Sequence, residues 1–495
     1  REVGLRKVLG AMKSNIFNQF MLESFLLCLI AMFIAMIMVE LILPGFNQLT
    51  GKDLSLSLSG NPVLIVSLIL ITLIVSFVAG SYPSLYLARM EPMRILRAGT
   101  SAGKANKPAL YLRRILVISQ FSISVILIIG TITVYRQLNY IQQKSLGFEK
   151  EHLMVVSVPA YGYRDRVASF KDDLSADPSV INSSMVSGIP GQRMPFLTVA
   201  LPDANTSRAE DAASLSEGFG MRVLSGDADL LNTLGVNIIE GRDFQRDRQS
   251  DEQDAFILNE AAVEWLELKD PVGTRFDYLY NMDPPKEGKI IGVAENFHYA
   301  SLHNEVEPIM IHVYPYYSRY LIIRLQTEQI STSVKHIEQK WAETLPEAPF
   351  SYFFLDTFYD NLYRSEGNMG TIITYFAILA IIIACLGLFG LASFITEQRT
   401  KEIGIRKILG ASMGSIVKAL SVEFMILVLI SNIIAWVPAY LLMQDWLEDF
   451  AYRTRVGFWV FVIATLVSFI IAFVTISFQS LKAARANPVN AIKYE

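Results

Sequence analysis

All five histidines of the chain, His152, His298, His303, His312 and His336, fall in one stretch between residues 136 and 368. Clustered imidazoles suggest a metal centre, but a metal-binding helix places its ligands three or four residues apart on one face. His298 and His303 are five apart, no His-Glu-x-x-His run occurs, and the only two cysteines, Cys28 and Cys385, sit inside apolar runs. Neither a metal site, a cofactor nor a structural disulfide is expected. The phosphate-cradling pattern Gly-x-x-x-x-Gly-Lys-Ser/Thr is absent, so any ATP hydrolysis coupled to this chain must be supplied by a separate polypeptide. The carboxylates Asp172 and Asp173 and the acidic run Asp247 to Asp254 read as solvated surface rather than an acid–base pair. No catalytic residue is assigned, and the chain is not expected to be an enzyme.

A repeat is far more specific. Residues Glu2 to Ala11 return 400 positions later as Glu402 to Ala411, with seven of ten positions identical and the other three exchanged among aliphatic residues. Ile16 matches Ile416, Glu23 matches Glu423, and each copy passes through two apolar runs to a similar exit, Arg89-x-x-Pro92 and Arg485-x-x-Pro488. Self-similarity of this kind marks duplicated architecture. Read as a helix, Leu5, Val8, Leu9, Met12 and Ile16 share one apolar face, which Ile405, Ile408, Leu409 and Ile416 reproduce. Arg6, Lys7, Arg406 and Lys407 point elsewhere. Gly4, Gly10, Gly404 and Gly410 suit a close approach or a helix end. A basic amphipathic segment can rest on lipid headgroups. A docking surface for a partner that exists in two copies also accounts for the repetition of Glu2, Glu402 and the glycines.

These runs are held by a membrane scaffold. Of the 495 residues 52% are hydrophobic and only 18% charged, below the roughly 25% of soluble domains. The apolar residues collect in six charge-free stretches, Phe25–Val39, Val63–Ala88, Ile115–Tyr135, Met369–Thr396, Phe424–Gln444 and Val456–Leu481. A hydrocarbon core about 30 Å thick needs about 20 helical residues, so the first stretch must run past Glu40 toward Leu43. Basic residues are retained on the cytoplasmic side. Segments 1–21, 86–114, 396–418 and 481–495 carry 4, 7, 5 and 3 of them, against Lys52, Arg453 and Arg455 in the two short loops 46–61 and 445–455. Both ends of the chain are therefore expected inside and residues 136–368 outside. That outer segment carries 21 basic and 35 acidic residues, which disfavours nucleic acid as a partner. Within the spans, Ala384, Gly387, Gly390 and Ser393 read as a stripe for helix packing, while Glu40, Gln120 and Asn432 are the deepest polar residues.

The outer segment reads as mixed α+β. Strands are expected at Leu153–Val158, Val180–Val186, Met221–Leu224, Ala255–Leu258, Lys289–Val293, Pro308–Val313, Tyr320–Leu325 and Phe350–Leu355, and helices at Arg164–Leu174, Asn259–Leu266 and Ile330–Leu345. The third span is expected to continue outward through Leu138 and Ile141 to Gly147. Residues 356–367 should form a partner helix entering Met369, giving a helical stalk.

The repeated run resembles the FtsX-like permease domain of ATP-binding-cassette transporters, and the outer segment is similar to the periplasmic core domain of MacB-like permeases. The outer matches are Leu234-Gly235, Glu240-Gly241-Arg242-Asp243-Phe244, Leu258-Asn259-Glu260-Ala261-Ala262, Asp270-Pro271-Val272-Gly273, Ile290-Ile291-Gly292-Val293, Asn296-Phe297-His298 and Glu307-Pro308. The resemblance implies a polytopic α-helical membrane protein with a mixed α+β extracytoplasmic domain, in a bacterial cytoplasmic membrane. It implies that Glu2, Gly4, Arg6, Lys7, Gly10, Glu402, Gly404, Arg406, Lys407 and Gly410 couple the chain to a cytoplasmic ATPase, two copies of it, with an extracytoplasmic protein as a further partner. The expected division is a permease half at 1–97, a linker at 98–114, a span at 115–135, the core domain with its stalk at 136–368, and a permease domain at 369–495 with its coupling helix at 402–416. Because the first copy lacks the span and outer domain that precede the second, the chain is read as a fragment of a longer, eight-span protein. Export or mechanotransmission is the expected role, with cargo open among lipoprotein, peptide and hydrophobic drug. An ATPase-driven signalling or hydrolase-activating scaffold, and an ion-coupled transporter, stand as alternatives.

Overall fold

Uncharged runs of Leu, Ile, Val and Phe form long helices here because only a helix satisfies every backbone polar group without water. The computed structural model of the protein describes residues 6, 12–57, 60–89, 107–159, 163–192, 194–200, 219–278, 286–315, 318–326, 330–398, 405–406 and 408–485. Three helices come first, α1 (Lys13–Thr50), α2 (Pro62–Arg89) and α3 (Lys107–Gln143). The outer elements follow: β1 (Leu153–Ser157), α4 (Arg164–Leu174), β2 (Val180–Val186), β3 (Phe196–Ala200), β4 (Phe219–Gly226), α5 (Leu230–Leu234), β5 (Ile238–Gly241), α6 (Gln249–Asp254), β6 (Ala255–Asn259) and α7 (Glu260–Trp265). They continue with β7 (Arg275–Tyr278), β8 (Lys286–Ala294), β9 (Ile309–Val313), β10 (Tyr320–Leu325), α8 (Ile330–Thr344), β11 (Tyr352–Phe354) and α9 (Leu355–Leu362). The last three helices are α10 (Arg364–Gln398), α11 (Met413–Glu448) and α12 (Phe458–Arg485).

Among the described residues α1, α2, α3, α10, α11 and α12 are long and apolar enough to cross a membrane. They coincide with the six charge-free stretches, and the chain is a polytopic helical membrane protein with an α+β extracytoplasmic domain. Local residues set several of their ends. Pro62 opens α2, where its missing N–H costs nothing, and the Asn61 side chain accepts from the Leu64 amide at 3.2 Å. Helix α1 runs through Glu40 and Pro44 and stops at Gly51, whose φ of 68° lets its amide reach the Asn47 carbonyl. Glu40 is exposed and does not end the helix.

Contacts divide the chain into two units. One comprises residues 1–125, 375–435 and 465–495, and the other 126–374 and 436–464. In the first, Val117, Phe121, Ala384, Leu388, Leu391, Phe424, Val428, Ala472 and Ile476 belong to one buried cluster drawn from four helices. In the second, the outer sheet has eleven strands in the order β11-β1-β10-β2-β4-β3-β7-β8-β6-β9, with β5 on β8. Strand β9 also pairs in parallel with β4, so β4, β3, β7, β8, β6 and β9 close a ring. Its interior holds Val199, Met221, Phe256, Phe276, Ile290 and Met310.

The open part of the sheet explains why strand β1 reads as an apolar run from Leu153 to Val156. Alternate residues point to opposite faces, and both faces are covered. Leu153 and Val155 enter one core with Phe297 and Tyr299, whereas Met154 and Val156 enter another beneath α4 and α8. There Phe170 meets Trp341 edge-on at 5.2 Å.

The eight expected strands and three expected helices all occur, with ends shifted by no more than three residues. Strands β3, β5 and β7 and helices α5 and α6 were not anticipated; they are four to six residues long and carry no clear period. The expected helix 356–367 is broken at Tyr363 (φ −102°, ψ 12°) between α9 and α10. Its hydroxyl accepts from the Leu302 amide at 2.8 Å, which pins the break to the outer domain. The acidic run is also less solvated than its composition suggests. Asp251 in α6 is buried and receives two 2.6 Å hydrogen bonds from Arg242.

Candidate partner-docking site

The second copy of the repeated run shows how its residues are presented. Ile405, Arg406 and Ile408 have helical backbone, with the Leu409 amide on the Ile405 carbonyl at 3.0 Å. Gly410 follows at φ 84°, a conformation open to glycine at little cost. The Ala411 amide then reaches back to the Arg406 carbonyl at 3.0 Å, the bond that closes a left-handed helix end. Ser412 caps the next helix, its Oγ accepting from the Ser415 amide at 3.3 Å. The turn is thereby fixed at both sides while its apolar side chains stay uncovered: Ile408 is 62% and Leu409 80% exposed. Arg406 is exposed beside them.

In the first copy Met12 takes the place of Ser412 and caps α1 without a side-chain bond. Arg6 donates from Nη1 to Gln19 Oε1 at 2.6 Å. Glu2, Gly4, Lys7, Gly10, Glu402, Gly404 and Lys407 lie outside the described residues, so the structure brings together only Arg406 and Gly410 of the second set and shows Arg6 of the first.

The helices behind the runs repeat as well. In α11 and α12, Asn432 Nδ2 donates to Ser468 Oγ at 3.0 Å and to the Val428 carbonyl at 2.8 Å, and its Oδ1 accepts from Thr465 at 3.0 Å. In α1 and α2 the corresponding pair is Met32 and Thr72, whose Oγ1 lies 3.0 Å from the sulfur. Residues 32 and 432 differ by the offset of the runs, and 72 and 468 by the offset of the exits. Asn432 thus serves as an interhelical clamp with its hydrogen bonds satisfied. Glu423 pairs with Arg114 of α3, and Arg113 stacks on Phe394 of α10 at 4.0 Å. Its counterpart Glu23 accepts from Gln19 at 3.2 Å. Arg114 was not singled out in the sequence; the recurrence of Glu23 as Glu423 near one end of an apolar run was the available signal.

The small-residue stripe of α10 divides by position. Ala384 is buried, a Cβ on Gly387 would stand 2.3 Å from Gln120 Oε1, and a Cβ on Gly390 would meet nothing within 4 Å. Ser393 accepts from Gln479 of α12 at 2.9 Å. A three-residue step turns 300° on a helix, so such a stripe drifts by 60° per step and leaves the face on which it began.

Among the described residues no group of three or more His, Cys, Asp or Glu is placed to hold a metal. The outer histidines have other surroundings. His312 lies 2.7 Å from Ser225 Oγ. Burial, aided by Lys144, lowers His298 to a pKa of about 4, so its ring is neutral near pH 7.

Residues 1–92 and 374–488 match the model of the FtsX-like permease C-terminal family. The macrolide export ATP-binding/permease protein MacB of Vibrio parahaemolyticus is 22% identical over 366 residues, covering 68% of this chain and 50% of that protein. The MacB of Mannheimia succiniciproducens is 32% identical over 96 residues, 19% of this chain and 14% of its own length. An uncharacterised ABC transporter permease of Bacillus subtilis, YknZ, is 28% identical over 133 residues, 26% of this chain and 32% of that one. The chain spans half or less of the length of these relatives. Among solved structures, the periplasmic region of MacB from Actinobacillus actinomycetemcomitans aligns with 45% of this chain and 97% of its own at 12% identity and a TM-score of 0.31. The extracellular domain of YknZ aligns with 40% and 97% at 12% identity and a TM-score of 0.27. The chain thus carries an FtsX-like permease match on either side of its mixed outer domain and is similar to MacB and YknZ, both ABC permeases.

Proposed function

We propose that this chain is the membrane subunit of an ATP-driven transporter or mechanotransmission complex, docking a separate cytoplasmic ATPase through residues 2–16 and 402–416. The observation that carries this is the capped turn 405–410, which holds Ile408 and Leu409 largely exposed beside Arg406 and has a near-identical partner sequence at 5–10. Lipid contact alone gives no reason for the fixed helix end. Two ATPase copies that close on nucleotide would draw the two runs together, with Glu2 and Glu402 orienting the basic side chains. The spans would pass that motion to α9, α10 and the outer part of α3, and so to the extracytoplasmic domain. Both chain ends lie inside in this reading, and the membrane is a bacterial cytoplasmic one.

The test is affinity purification from native membranes of the full-length protein and of its Arg6→Glu, Arg406→Glu variant, with identification of bound chains and ATPase assay. An ATPase bound to the parent and lost from the variant supports the docking role, since a misplaced charge at a desolvated contact costs several kcal/mol. Equal recovery from both removes it. Substrate-stimulated ATPase with measurable movement in vesicles separates transport from a signalling scaffold that moves nothing.

A further inference from the structure

The connection between α11 and α12 would ordinarily be a mobile surface loop with few contacts. Here it is built into the outer domain. Phe450 is 3% exposed and joins the core that holds Phe297, Leu302 and Tyr363. Its ring stacks on His303 with centroids 4.4 Å apart, and the next amide, of Ala451, donates to the His303 carbonyl at 3.1 Å. Tyr452 meets His298 edge-on at 4.7 Å and carries the Lys144 ammonium 4.1 Å from its ring. Gln137 of α3, fully buried, holds the same loop from its other side. Its Nε2 donates to the Tyr452 carbonyl and its Oε1 accepts from the Thr454 amide, both at 2.8 Å.

We propose that residues 449–454 form a latch through which α11 acts directly on the β8–β9 segment around His298 and His303, making the α11–α12 hairpin a second working link to the outer domain beside α3 and α10. This rests on the docking role given above. Helix α11 is continuous from Met413 to Glu448. It begins three residues after Gly410 and ends one residue before the latch, so along the chain a single helix connects the exposed turn to the latch. Pro438 lies inside it and removes one N–H from the ladder. The latch contacts are aromatic stacks and backbone bonds, which resist sliding better than loose apolar contact does. His298 and His303, candidates for metal binding by residue type alone, act as positioning residues that receive the loop.

The experiment uses the full-length protein purified with its ATPase in nanodiscs. Hydrogen exchange of residues 295–305 is compared with and without a non-hydrolysable ATP analogue. One variant carries Gly-Ser-Gly-Ser between Glu448 and Asp449, which frees α11 from an intact latch. A second carries the same insertion between Arg455 and Val456, which frees α12. Protected amides of β1 and β10 report that the outer domain stays folded. The latch predicts a nucleotide response at 295–305 in the parent and in the second variant, and its loss in the first. A response that survives in the first variant, or is lost equally in both, overturns the latch while leaving docking intact. A parent with no bound ATPase overturns the docking role instead. Independently, Phe450→Ala should speed exchange at 298–303 by about tenfold or more; unchanged exchange there also overturns the latch.

Discussion

Replacing Lys171 by methionine should loosen the outer domain far more than removing its neighbour Arg246. Lys171 of α4 places its ammonium 2.6 Å from Asp227 and 2.5 Å from Asp229, and the three side chains are 8%, 15% and 17% exposed. Breaking a buried pair from one side costs about 3–5 kcal/mol, because the carboxylate left behind has neither water nor a countercharge. The remaining partners soften that figure. Asp229 keeps Arg246, and Asp227 keeps the Ser184 hydroxyl and the amides of Met185 and Asp229. About 3 kcal/mol is therefore expected, equivalent to roughly 150-fold faster exchange of the protected β2 amides. Arg246 is 47% exposed, and Arg246→Met should cost at most about 1 kcal/mol. The pH dependence has a definite sign. Burial alone would raise Asp229, but hydrogen bonds from Arg246 and Lys171 more than reverse it and hold its carboxyl below the ordinary value. Stability from such a group is present above the unfolded pKa near 4 and lost as pH falls through the folded one. The Lys171→Met penalty should thus be full at pH 7 and shrink at pH 3. Exchange in Lys171→Met no faster than in Arg246→Met, at pH 7, would refute the reasoning.

Asp243 runs the other way: burial, with Asp229 and Asp251 adding to it, pushes its carboxyl up to about 6. The folded state holds that proton more tightly than the unfolded one, so stability falls as pH rises from 4 through 6. Asp243→Asn should stabilise by about 1–2 kcal/mol at pH 8, after allowance for partial exposure, and by almost nothing at pH 4, as thermal unfolding can show. Gly147→Ala should destabilise by about 3 kcal/mol or more, since φ is 76° and a Cβ would stand 2.3 Å from the Asn296 carbonyl oxygen; unfolding by denaturant measures it. Gly410→Ala meets no atom within 4 Å and should cost only about 1 kcal/mol, the strain of its φ of 84°. Overall melting should fall by no more than about 2 °C while ATPase recovery in affinity purification falls.

The membrane helices were legible because a span must be apolar over about 20 residues whatever it packs against. Strand Leu153–Ser157 was legible because burial on both faces leaves the apolar run Leu153-Met154-Val155-Val156, and Tyr320–Leu325 because only Arg324 interrupts its apolar residues. Strand β7 was not, since Arg275 and Asp277 alternate with Phe276 and Tyr278 over only four residues, too few to establish a period. The turn 405–410 was visible through duplication: Ile405, Ile408, Leu409 and Gly410 repeat earlier residues at constant spacing. Arg114, Gln137 and Phe450 were invisible because their meaning comes from partners roughly 150 to 320 positions away. Phe450 in particular lies in a short connection that composition marks as an ordinary loop, and only the fold brings it to His303.

Leu409 is the most exposed apolar side chain of the turn 405–410, and a photo-crosslinking amino acid placed there in the native membrane tests the proposed docking role most directly. An adduct between this chain and an ATP-binding subunit is expected, lost when Arg406 is reversed to Glu. Labelling of lipid alone, or a protein adduct indifferent to Arg406, would contradict it.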